Sequence, residues 1–138
     1  MSGLRPYQVG HVTGLLAILR VTGVAHDGSD TGTGKSYCAA AIAADLNLET
    51  LVICPLSVVP MWRGVLESFG VNATVINYES AWRKFGEVKP WGSGSFFQFT
   101  KVWPLIICDE VHRSGGETTI NSKVLIAAKR QGSMILTL

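Results

Sequence analysis

Apolar residues recur at helical spacing near the start of the chain. Val9, Val12, Leu15, Leu16 and Leu19 follow Arg5-Pro6 and predict an amphipathic helix over residues 7–19. A β-rich run at 20–25 comes next, then a glycine-rich stretch at 28–34. Residues 35–46 are dominated by alanine and predict a second helix. Residues 50–54 form a short apolar run stopped by Pro55, and the helical period returns over 59–69, where Pro60 is tolerable in a first turn. Three more short apolar runs, 73–77, 105–109 and 134–138, read as strands, and 122–129 as a helix capped by Asn121. Continuously apolar strands alternating with helices imply an α/β domain with a mainly parallel sheet covered by helices on both faces.

Residues 80–103 break this rhythm. Trp82, Pro90, Trp91, Phe96, Phe97 and Phe99 are mixed there with glycine and serine turn signals and with Arg83, Lys84, Lys89 and Lys101. That mixture predicts an inserted loop or hairpin. Its basic residues are read as solvated charges around a small aromatic cluster, in preference to a nucleic-acid surface. No internal repeat, low-complexity tail or linker divides the 138 residues, so one domain over 1–138 is expected.

Composition adds little to this picture. A net charge of +2 is too small to identify a nucleic-acid binder, so function has to come from motifs. Cys38, Cys54 and Cys108 each sit in an apolar or small-residue run without the paired close spacing of zinc sites, and read as buried free thiols. His11 and His26 have no metal partners at useful spacing and read as structural. There is no leader-like start and no apolar run approaching the roughly 20 residues of a membrane span. The expected setting is the cytoplasm, without membrane insertion.

Ser29-Asp30-Thr31-Gly32-Thr33-Gly34-Lys35-Ser36 has the spacing of a phosphate-binding loop and lies between a predicted strand and a predicted helix. Glycines let successive backbone N–H groups turn toward phosphate oxygens, and the positive end of the following helix adds to the attraction. Lys35 supplies a mobile charge for β and γ phosphates, and the Ser36 hydroxyl is the expected Mg²⁺ ligand. The second chemical motif is the run Leu105-Ile106-Ile107-Cys108-Asp109-Glu110-Val111-His112, an apolar strand ending in two carboxylates at the sheet edge from which the phosphate loop also emerges. There Asp109 is expected to hold Mg²⁺ through its water shell, and Glu110 to orient and deprotonate the attacking water. His112 is placed to contact the γ phosphate or to pass its state to a second domain. Cys108 reads as core filling, because the neighbouring carboxylates raise its pKa.

The phosphate loop resembles motif I of superfamily 2 helicases, where serine or alanine commonly replaces the first glycine. Asp109-Glu110-Val111-His112 resembles the DEAH-type box that forms motif II of the same superfamily. Leu4-Arg5-Pro6-Tyr7-Gln8 is similar to the opening segment of many superfamily 2 DNA translocases, which implies that Gln8 recognises the adenine edge by its amide. The segment from Cys54 to Trp62 resembles motif Ia of Swi/Snf-type translocases, which gives Pro55 and Ser57 a place against a phosphate of the tracked strand. Trp62 is read as helix packing. The segment from Val75 to Ser80 is similar to the tyrosine-containing segment that follows, which adds Tyr78 to the nucleic-acid residues.

The resemblance implies a RecA-like fold, with ATP and Mg²⁺ as cofactors and Ser29, Thr31, Gly32, Thr33, Gly34, Lys35 and Ser36 around the phosphates. DNA is the favoured track, with RNA left open, and a bacterial or phage-infected cell the favoured source. It also implies a second RecA-like domain, since the family binds ATP between two. In the family, the strand after the acidic box runs into a Ser-Ala-Thr-like motif III. Here that motif would begin at Met134 to Leu138, so the first RecA-like domain is expected to be incomplete at its C-terminus. The competing reading is a non-catalytic nucleotide- or nucleic-acid-binding module from a shortened or split helicase.

Overall fold

The computed structural model describes residues 4–28, 34–109 and 118–138. Helix α1 (Pro6–Thr22) leads into strand β1 (Val24–His26), and α2 (Lys35–Leu46) into β2 (Thr50–Cys54). A 3₁₀ turn (Leu56–Val58) then runs directly into α3 (Val59–Ser68), followed by β3 (Ala73–Asn77) and α4 (Tyr78–Lys84). Strands β4 (Gly86–Trp91) and β5 (Gly94–Phe99) pair with each other, and β6 (Leu105–Cys108), α5 (Thr118–Arg130) and β7 (Met134–Thr137) complete the order. The main sheet has the order β1-β7-β6-β2-β3 with every neighbouring pair parallel, whereas β4 and β5 form a separate antiparallel ribbon. The fold is the expected α/β class, and its helix-covered parallel sheet is consistent with a RecA-like arrangement.

Strand alternation builds two cores. Val52, Cys54, Leu105, Ile107, Leu136 and Leu138 face one layer with α1, α2 and α3. The intervening Leu51, Ile53, Ile106, Cys108 and Ile135 face the other, with Phe97, Phe99, Trp103 and the α5 residues Val124, Ala127 and Ala128. Successive strand side chains point to opposite faces, so a strand apolar at every position must be covered twice. Helix α2 is sunk deepest, with Cys38, Ala39, Ala40, Ala41, Ile42 and Ala43 all buried. Small side chains let it be enclosed on nearly every side, which fixes the helix that carries Lys35.

Several elements depart from the sequence reading. Residues 20–22 continue α1, where a strand is expected. Val21 and Thr22 are β-branched, but the Thr22 hydroxyl donates back to the Ile18 carbonyl (2.9 Å), and the helix stops only at Gly23, whose φ of 78° is left-handed and whose N–H donates to Leu19 O (2.8 Å). Helix α5 starts at Thr118, so Asn121 lies inside it and is not its cap. The β-branched Thr118, Thr119 and Ile120 are weak helix formers, which hides this first turn from propensity. Residues 78–84 are helical, with Glu79 in the first turn and Arg83 and Lys84 in the last, where each complements the helix dipole.

Three basic side chains around the ribbon are engaged locally. Lys101 pairs with Glu49 (2.7 Å) and lies 4.4 Å from the centre of the Trp103 ring, Arg83 pairs with Glu79 (3.6 Å), and Lys89 with Glu87 (4.0 Å). All three cysteines are buried free thiols. Burial and then the Asp109 charge push Cys108 up to about 12. The same two causes push Cys54 to about 12 against an opposing pull from Arg63. Burial, more than the neighbouring carboxylate, therefore keeps Cys108 an inert thiol. No helix among the described residues is long and apolar enough to cross a membrane.

Candidate functional site

The carboxyl edge of the parallel sheet gathers the ends of β1, β2, β3 and β6, the position where open α/β sheets place ligands. Gly34 has a left-handed φ of 76°, and α2 begins at once with Lys35 and Ser36, both half-buried. Ser29, Thr31, Gly32, Thr33, Glu110 and His112 lie outside the described residues. Asp109 follows the last residue of β6, and β7 alone stands between β6 and β1. At the usual strand spacing, the base of the loop and Asp109 face each other across roughly 10 Å.

Gln8 joins this edge from a different direction. It is buried in the first turn of α1, and its Oε1 accepts a hydrogen bond from the Arg5 N–H (2.8 Å). Its amide nitrogen lies so close to Gly34 that a Cβ there would collide with it. Gln8 is thus a buried residue of the first turn and not a surface one. Tyr7, beside it, is exposed. Gly34→Ala is expected to cost about 1–2 kcal/mol through its left-handed backbone alone and to push the Gln8 amide away. Thermal denaturation, together with ATP and GTP titrations, checks this. An unchanged melting point with an unchanged preference between the two nucleotides would mean that Gly34 and Gln8 do not meet as described.

Asp109 is held from three elements. Its N–H donates to Ile53 O in β2 (2.8 Å), its carbonyl accepts the Tyr78 hydroxyl from α4 (2.6 Å), and its Oδ2 accepts the indole N–H of Trp62 in α3 (2.8 Å). Trp62 is fully buried, so its assignment to helix packing holds but omits the polar contact. Tyr78, placed by resemblance against nucleic acid, directs its hydroxyl to the acidic strand end. Pro55 is half-buried, and Ser57 is exposed on the 3₁₀ turn after β2, the strand beside β6.

Sequence reasoning gave no role to one further carboxylate. Asp27 directly follows β1, only 1% exposed, with its N–H donating to Thr137 O (2.8 Å) and its Oδ1 2.9 Å from His11 Nε2. His11 lies one turn beyond Gln8 in α1, so the pair ties the Gln8 helix to the end of β1. The spacing of Gln8 and His11 on one helix face was the available signal. After burial, Asp27 is the second cause that raises the Cys38 pKa. His26 Nδ1 meets Thr137 Oγ1 at 2.7 Å, a β1–β7 contact that agrees with a structural role.

Ser36 and Asp109 offer two hard oxygen donors, and among the described residues no group of three or more His, Cys, Asp or Glu forms a metal cage. One hydroxyl and one carboxylate suit Mg²⁺, which keeps several waters and binds with substrate phosphates, better than they suit a zinc centre. A cleft of about 430 Å³ between β5 and the end of α5, lined by Phe97, Phe99 and Arg130, lies toward the opposite edge of the sheet and contributes nothing to this arrangement.

No protein-family profile matches the chain. It is 32% identical over 147 aligned residues to a protein of Acanthamoeba polyphaga mimivirus named "Putative ATP-dependent RNA helicase L364", across 92% of this chain and 27% of that protein. This similarity supports a helicase-family relationship. The chain spans only about a quarter of the relative's length. Helicase and ATP are thus the terms that the similarity supports, and the relative's name specifies RNA.

Proposed function

We propose that this chain is the ATP-binding half of an ATP-dependent nucleic-acid helicase or translocase of the superfamily 2, DEAH-type kind. Mg·ATP sits at the carboxyl edge of the sheet, and a second RecA-like domain completes the site. The observation that carries this reading is the convergence of Gln8, the Gly34-Lys35-Ser36 helix start and Asp109 on one edge, from α1, α2 and β6. Separate segments of a chain with no shared function have no reason to meet in that order.

In this reading the Gln8 amide pairs with the adenine edge, and backbone N–H groups of residues 29–34 turn toward the phosphates. Lys35 contacts the β and γ phosphates, while Ser36 and Asp109 hold Mg²⁺. Mg²⁺ held there would neutralise negative charge on the triphosphate. Glu110 accepts the proton of a water whose oxygen bonds to the γ phosphorus as the bond to the β-phosphate oxygen breaks, releasing ADP and phosphate. His112 carries the γ-phosphate state toward the second domain. Ser57 and Pro55 meet the backbone of the tracked strand, with Tyr78 behind them.

The track is a single nucleic-acid strand. Resemblance of the opening and motif Ia segments favours DNA, and the name of the mimivirus relative favours RNA, so strands of both kinds belong in every assay. Glu110→Gln is expected to retain ATP and Mg²⁺ yet slow hydrolysis by about 10²–10⁴-fold, the usual contribution of general base catalysis. Single-turnover phosphate release in a chain that carries the second domain measures this, and wild-type turnover would remove Glu110 from the mechanism.

A further inference from the structure

One contact at the sheet edge belongs to a residue that the proposed chemistry does not use. Trp62 is fully buried in α3, and a buried indole N–H needs an acceptor. It has the Oδ2 of Asp109, 47 residues away, at 2.8 Å. An ionised acceptor makes this bond shorter and stronger than a neutral pair would. The Tyr78 hydroxyl fixes the carbonyl of the same residue at 2.6 Å, and the Ile53 carbonyl fixes its N–H at 2.8 Å. A carboxylate at a bare strand end swings about its side-chain torsions, whereas this one is tied at backbone and side chain by β2, α3 and α4.

We propose that Trp62 and Tyr78 are positioning residues for Asp109, setting the orientation in which its carboxylate engages hydrated Mg²⁺. The inference rests on the reading of Asp109 as the metal-side carboxylate. Partners that orient a metal-binding group govern metal affinity without touching the metal, and their loss typically costs about 10–100-fold. Packing alone makes a different demand: phenylalanine at position 62 fills most of the same volume and keeps the site apolar, but donates nothing.

The test is titration of the 138-residue chain with ATP at a series of Mg²⁺ concentrations, for wild type, Trp62→Phe, Tyr78→Phe and Asp109→Asn. The expected result is that Trp62→Phe raises the Mg²⁺ concentration needed for half-maximal ATP binding by roughly 10-fold or more, with metal-free ATP binding unchanged. Tyr78→Phe should move it in the same direction by less. In ¹H–¹⁵N spectra the Trp62 indole signal, assigned by its loss in Trp62→Phe, should shift when Mg²⁺ is added to the ATP-loaded chain, and should already be displaced in Asp109→Asn. A Trp62→Phe curve that overlays wild type while Asp109→Asn is shifted overturns the positioning role and leaves the functional reading standing. An Asp109→Asn curve that overlays wild type overturns both. If Trp62→Phe does not fold, Tyr78→Phe decides the question, and a Tyr78→Phe curve that overlays wild type overturns the proposal.

Discussion

Lys35→Ala is expected to remove most affinity for ATP while leaving the fold as stable as wild type or slightly more so. Lys35 is the first residue of α2, whose first turn holds no acidic residue. A cation at the positive end of a helix is unfavourable by about 0.3–1 kcal/mol, and alanine is the better helix former. Local rules would therefore select against lysine at this position. Its presence there makes sense if it answers a charge from outside the chain, such as a triphosphate. Hydrogen bonds to charged groups contribute about 1.5–3 kcal/mol each, so losing the ammonium should weaken ATP binding by about a hundredfold. The melting temperature should stay level or rise by about 1–3 °C. Calorimetric ATP titration and thermal denaturation of the same preparation read both signs. Retained affinity, or a large fall in melting temperature, would contradict the assignment of Lys35 to phosphate binding.

The opposite signs expected at Lys35 illustrate what the sequence makes legible. Strands β2 and β3 and helix α2 have the boundaries read from the sequence, because unbroken apolar runs and an alanine-rich segment leave little choice between periods. The α1 terminus and the α5 start differ from the sequence reading because Val21-Thr22 and Thr118-Thr119-Ile120 carry the β-branched signature of strands, whereas α1 runs on to its Gly23 cap and α5 already begins at Thr118.

At the site, local motifs picked out Lys35, Ser36 and Asp109. They could not show which residues hold them. The Trp62–Asp109 bond joins positions 47 apart, and His11–Asp27 joins positions 16 apart on a helix and a strand end. Such pairs exist only once the sheet order places β6 beside β2 and the start of α1 beside the end of β1. A tryptophan at helical spacing carries the same pattern whether its N–H meets a carboxylate or water, so periodicity alone could not separate the two.

The largest expected effect is that of a second RecA-like domain on turnover. The 138-residue chain alone should bind Mg·ATP weakly and release phosphate at or near background, with or without nucleic acid. A chain carrying the second domain should be stimulated by its strand and exceed it by about 10³–10⁵-fold, the range associated with arginines that stabilise charge on the γ phosphate. Geometry supplies two reasons. Ser57 and Leu56, the latter 70% exposed, stand open at the sheet edge, so water reaches the ground next to Asp109 and screens the charges that catalysis needs to concentrate. In addition Tyr7, Tyr37, Leu56 and Met61 are all large, apolar and exposed, and each lies at the start of a helix or turn on this same edge. In the proposed reading the second domain covers these side chains. Steady-state phosphate release at saturating ATP and Mg²⁺ compares the two chains, each assayed without nucleic acid, with single-stranded RNA and with single-stranded DNA. Strand-stimulated turnover by the 138-residue chain as a monomer, at the rate of the longer chain, would show that this edge is a complete site and that no second domain contributes to the chemistry.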